Sequence, residues 1–127
     1  MKIIITGALG HIGSRLIRDI PQSLCSYQFI LIDSLITERY SSLFQLPEDI
    51  NYTFFHSDIF EIDYSDILKD TVAVIHLAAI TDAERSIDRE KEVNRINFNG
   101  TEIIARACAK NDVPFIMIST TRVNETQ

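Results

Sequence analysis

Three glycines at positions 7, 10 and 13, in Thr6-Gly7-Ala8-Leu9-Gly10-His11-Ile12-Gly13, stand between a short apolar run and an amphipathic one. That placement, after a first strand and at the start of a helix, can hold a diphosphate. Gly7 permits the tight turn out of the strand, Gly10 lets a pyrophosphate approach the backbone, and Gly13 lets helix and sheet pack closely. The phosphates then meet free N–H groups and the positive end of the helix dipole, so Gly7, Gly10, His11, Ile12 and Gly13 are expected to line them. Asp33 lies 20 residues beyond Gly13, where a carboxylate accepts hydrogen bonds from adenosine ribose hydroxyls. A 2′-phosphate would be repelled there, which favours NAD over NADP unless Arg39 reaches round. Taken alone, the glycines could form an ordinary turn, and Asp33 could be a turn aspartate.

The elements that must position these residues alternate along the chain. Lys2 to Thr6 is a β-branched run without polar alternation, as expected of a strand buried on both faces. His11 to Ile20 carries Ile12, Leu16, Ile17 and Ile20 at helical spacing, and Pro21 ends that pattern. Phe29 to Ile32 and Tyr52 to Phe55 read as further strands, and the polar stretch Ser34 to Asp49 between them as a short helix or loop. Ile59 to Lys69 predicts a helix, Val72 to Leu77 a strand, Arg85 to Lys110 one long helix, and Phe115 to Ile118 a strand opened by Pro114. Strands this apolar, separated by helices, imply βαβ crossovers. The expected fold is a Rossmann-type, doubly wound parallel α/β sheet of order 3-2-1-4-5, forming one domain over residues 1–127 and cut after its fifth strand.

Composition narrows the partners. The 127 residues are 46% apolar and 24% charged, which suits a single packed domain. A net charge of −6 argues against nucleic acid, whose phosphates need clustered Lys and Arg. No segment reaches the roughly 20 apolar residues of a membrane span. Cys25 and Cys108 lie in no CxxC or secreted-scaffold spacing, so a reducing cytoplasm is expected, and no metal-ligand spacing occurs.

TGALGHIG, LIDSL, HSDI, HLAA at 76–79, INFNGT at 96–101 and FIMISTT at 115–121 occur in this order. In these six blocks the chain resembles the extended short-chain dehydrogenase/reductases, the NAD-dependent epimerase/dehydratase family acting mostly on nucleotide-sugars. The resemblance implies that Asp58 bonds the adenine amino group and Ile59 offers its backbone N–H. It implies that Ala78 and Ala79 line the dinucleotide beyond the pyrophosphate, that Asn97 is the helix asparagine near the catalytic centre, and that Thr120 hydrogen-bonds the substrate. Each has a plainer alternative. Asp58 could cap a helix, the alanines could be small core residues, and Asn97 could serve helix packing.

The family's reaction uses a Tyr and a Lys four residues later, the Lys lowering the Tyr pKa. The residues four places after Tyr27, Tyr40, Tyr52 and Tyr64 are Leu31, Phe44, His56 and Leu68. Asn124 stands where the family usually has tyrosine, and Ser57 where it commonly has glycine. The expectation is therefore an NAD-binding portion of a nucleotide-sugar epimerase, dehydratase or reductase, without turnover alone and prone to self-association through its cut edge. The alternative is a non-catalytic dinucleotide-binding or regulatory module.

Overall fold

The computed structural model describes residues 1–36, 38–78, 91 and 95–118. Five strands, β1 (Lys2–Thr6), β2 (Gln28–Asp33), β3 (Asn51–His56), β4 (Thr71–His76) and β5 (Phe115–Met117), form one sheet of order β3-β2-β1-β4-β5. Every pairing is parallel, as the unalternating apolar strands required. The winding reverses between β1 and β4, so the strands' carboxyl ends open on a switch point beside the end of β1.

Neighbouring residues of one strand face opposite cores because strand side chains alternate. Ile4, Ile30, Ile32 and Val74 pack on one face with Ile104 and Cys108 of helix α3 (Thr101–Lys110). Ile5, Phe29 and Leu31 pack on the other with Ile17 of helix α1 (His11–Arg18). Ala8 and Leu9 are fully buried in that second cluster, so the glycine turn is anchored through its own apolar residues.

Three expectations about helices need correction. α1 ends at Arg18 and not at Ile20, where the Asp19 N–H caps the carbonyls of Arg15 and Leu16. The helix expected over Ile59 to Lys69 shrinks to α2 (Tyr64–Ile67). The Asp58 carboxylate accepts from Phe60 N at 3.0 Å and holds a local turn in place of the first helical turn, and the Asp63 carboxylate, accepting from Ser65 N at 3.0 Å, caps the helix that starts at Tyr64. In the long helix expected to Lys110, the segment Arg95–Gly100 is a π-helical turn that runs into α3. Within Ser34 to Asp49 there is a 3₁₀ turn, Tyr40–Leu43. Among the described residues no helix is long and apolar enough to cross a membrane.

Candidate functional site

The glycine turn is built from backbone. Ile32 O at the end of β2 accepts from Gly7 N at 2.8 Å and Ala8 N at 3.3 Å, and Gly10 N reaches Gly7 O at 3.2 Å. Gly7 lies in the left-handed region at φ 66°, and a Cβ there would stand 2.5 Å from Ala78 N. A Cβ at Gly13 would stand 2.5 Å from the carbonyl oxygens of both Gly7 and Ala8. These two positions exclude any side chain. Gly10 differs: φ is −70°, and the nearest atom to a Cβ there is Gly7 O at 3.4 Å. As the residue preceding α1 it offers no side-chain cap, which leaves the first-turn amides of His11, Ile12 and Gly13 without an intrahelical acceptor.

Asp33 closes the turn from below. Its Oδ2 accepts from Leu9 N at 3.0 Å and its Oδ1 from Leu35 N at 2.9 Å. Leu35 is held at φ 59°, uncommon for a branched residue, and its buried side chain and the Asp33 bond keep it there. The Leu9 carbonyl accepts from Ser42 Oγ at 3.2 Å, and Arg18 of α1 holds the Ser41 and Phe44 carbonyls beside it. Arg39 reaches round to the start of α1, with Nη1 at 3.0 Å from the His11 ring nitrogens.

On the β3 side, Ser57 N donates to Asp33 O at 3.1 Å, which seats the following Asp58 turn beside the end of β2. Asp58 caps that turn, accepting from Phe60 N, while the N-cap of α2 is Asp63. Ile59 is buried, and a Cβ at Gly100 would fall 2.2 Å from its Cδ1, so a side chain there would have to displace the end of Ile59 where it meets the π-helical turn. Arg95 stacks on Phe60, its guanidinium carbon 4.1 Å from the ring centre.

His76 at the end of β4 is 5% exposed and bonded on both ring nitrogens, to Thr6 Oγ1 at 2.7 Å and to Thr101 Oγ1 at 3.0 Å. Burial pulls its pKa down to about 4, so the ring is neutral near pH 7. Two described tyrosines have hydroxyls spent on carbonyls, Tyr52 on Ile17 and Tyr64 on Ile59. Burial raises both pKa values, with Asp58 adding to the rise at Tyr64, so neither is poised as a base.

The structure thus brings Gly7, Gly10, His11, Ile12, Gly13, Asp33 and Ala78 to one mouth, with Asp58 and Ile59 on its β3 side and Asn97 beyond Thr101. Ala79 and Thr120 lie outside the described residues. Ser42, Thr6 and Thr101 were missed as site-building residues. A buried serine in a polar stretch gives no sequence signal, but the two threonines sit inside blocks that were legible. No group of three metal-ligating residues occurs among the described residues.

Residues 3–125 match the model of the NAD dependent epimerase/dehydratase family. The chain is 29% identical over 130 residues to a dTDP-glucose 4,6-dehydratase of Streptomyces niveus, covering 97% of this chain and 39% of that protein. It is 28% identical to the human dTDP-D-glucose 4,6-dehydratase, over 96% of this chain and 36% of that one. Among solved structures, UDP-glucuronic acid 4-epimerase from Bacillus cereus in complex with NAD superposes with a TM-score of 0.79 at 31% identity, over 100% of this chain and 42% of that one. The chain therefore spans about two fifths of the length of these relatives. With its glycine turn at the switch point of a 3-2-1-4-5 sheet and a family match over nearly its whole length, the chain belongs to the NAD-dependent epimerase/dehydratase family.

Proposed function

We propose that this chain binds NAD with the pyrophosphate over Gly7–Gly13, as the cofactor-binding part of a nucleotide-sugar epimerase, dehydratase or reductase. The observation that carries the reading is the unequal need for glycine. Gly7 and Gly13 are demanded by backbone 2.5 Å away, whereas nothing in the protein comes closer than 3.4 Å to the place of a Cβ at Gly10. A turn that only had to fold could take a side chain at position 10; one that admits a diphosphate could not. The NAD complex of the B. cereus epimerase supports the same assignment.

When bound, NAD supplies the hydride acceptor for oxidation of a sugar hydroxyl. The first-turn amides of His11, Ile12 and Gly13 hold the phosphates. Asp33 takes the ribose hydroxyls on the lone pairs that Leu9 and Leu35 leave open. Asp58 and the Ile59 N–H face the adenine, Ala78 and Ala79 line the far side of the pyrophosphate, Asn97 stands near the reacting end, and Thr120 orients a substrate hydroxyl or carbonyl. No tyrosine here has a lysine four residues on, so the 127 residues bind without turning over. Both cysteines are free thiols, which agrees with a reducing cytoplasm. The half-exposed β5 edge is read as a surface for association between copies.

Calorimetric titration with NAD tests the reading. Binding by the wild-type chain and its loss in Gly10→Val, with thermal unfolding little changed, is the expected result. Absence of binding by folded wild type, or undiminished binding by Gly10→Val, overturns it.

A further inference from the structure

The hydrogen bonds around His76 run in one direction. The Asn97 carbonyl can only accept, so the Thr101 hydroxyl, 2.8 Å away, donates its proton there. With that proton spent, Thr101 Oγ1 accepts from His76 Nε2 at 3.0 Å. Nδ1 of the neutral ring is then bare and accepts from Thr6 Oγ1 at 2.7 Å, while Thr6 Oγ1 accepts from Ala78 N at 3.4 Å. Reversing any one bond leaves two donors or two acceptors face to face. Thr6, fully buried, immediately precedes Gly7, and Thr101 immediately follows the π-helical turn that contains Asn97.

We propose that His76 is a positioning residue: held as the Nε2–H tautomer between Thr6 and Thr101, it couples the glycine turn after β1 to the π-helical turn that carries Asn97. The role assigned to the glycine turn rests on the dinucleotide reading above; the coupling itself does not. A π-helical turn is less regular than the α-helix that follows it and needs outside support to persist. Gly100 against Ile59 and Arg95 over Phe60 fix its outer side, and the Thr101 hydroxyl ties its inner side to β4 and β1. A shift in the turn after Thr6 is thereby carried to the Asn97 carbonyl through two side chains and one ring.

Two measurements on the 127-residue chain decide it. Long-range ¹H–¹⁵N correlation on the wild type at neutral pH is expected to find a proton on Nε2 of His76 and none on Nδ1; a protonated Nδ1 overturns the proposal whatever the variants do. Amide hydrogen exchange then reads the coupling in both directions. Thr6→Val is expected to speed exchange at Phe98–Thr101, and Thr101→Val at Gly7–Gly10, each by roughly threefold to tenfold, the worth of one net hydrogen bond. Thr101→Ser, which keeps the hydroxyl and loses the methyl, should restore slow exchange; a residue that only fills space predicts the reverse ranking. Faster exchange confined to the mutated turn overturns the coupling. Failure of NAD to bind leaves both measurements intact and counts only against the dinucleotide reading.

Discussion

The Asp33 carboxylate accepts the Leu9 N–H at 3.0 Å, tying the end of β2 to the middle of the glycine turn. Its other oxygen holds Leu35, so one side chain shapes both lips of the mouth before any ligand arrives. Asp33→Ala should therefore lower stability by about 1.5–3 kcal/mol, the range for hydrogen bonds to a charged group. It should also narrow the preference for NAD over NADP, because the charge that repels a 2′-phosphate is gone. Arg39, already at His11, works in the opposite sense, and Arg39→Ala should widen the preference. Competition titrations with the two dinucleotides check both shifts, and equal or tighter NADP binding by the wild type would sink the assignment.

The glycines separate folding from binding. Gly13→Ala places a methyl 2.5 Å from two carbonyl oxygens and should cost at least about 2–3 kcal/mol, since backbone cannot move aside cheaply. Gly10→Ala meets nothing nearer than 3.4 Å and should cost less than about 1 kcal/mol, mostly through a poorer helix cap. NAD affinity should fall in both. Urea denaturation beside calorimetry distinguishes them, and equal stability losses would contradict the open space at Gly10.

How much of this was legible depends on whether a residue acts through its own type or through what the fold brings to it. The Ile3–Ile5 run and the glycine spacing determine a buried parallel strand and a phosphate-sized turn by local chemistry, and the sheet order followed from alternation. The Asp58 segment was misread because Ile62, Ile67 and Leu68 keep helical spacing while Asp58 draws the backbone into a turn and Asp63 caps the helix only at Tyr64. The second use of Asp33 was hidden because its partners, Leu9 and Leu35, are backbone amides that any residue would offer. His76 falls within the strand predicted over Val72 to Leu77, and only the fold sets Thr6 and Thr101 on either side of it.

The His76 ring gives the fold a pH dependence of definite sign. Its folded pKa, about 4, lies below the ordinary value of 6.5, so the folded state favours the neutral form. That contribution is fully present above about pH 6.5 and is lost as pH falls through the folded pKa. Unfolding free energies at pH 7.5 and pH 5 should differ through this residue by up to about 2 kcal/mol. His76→Gln should be less stable at pH 7.5 and should lose less on acidification. A variant that keeps the full wild-type decline between these pH values would show that other groups cause it.

The sheet's two outer strands differ in what they expose. At β3, the Tyr52 hydroxyl donates to the Ile17 carbonyl of α1, and Phe55 is 46% exposed. At β5, Ile116, Met117 and Ile118 are each about half exposed, at 51%, 50% and 53%, and β4 is the strand that pairs with β5. An apolar strand edge with unpaired backbone groups is a template for another chain, and no charged residue within Phe115–Met117 guards it. The 127-residue chain should self-associate as its concentration rises, with light scattering giving an apparent mass above that of one copy. Ile116→Lys should reduce this association, because a charge on an edge strand opposes pairing. Clean monomer at high concentration in the wild type would overturn the expectation, and undiminished association by Ile116→Lys would move the contact to another face.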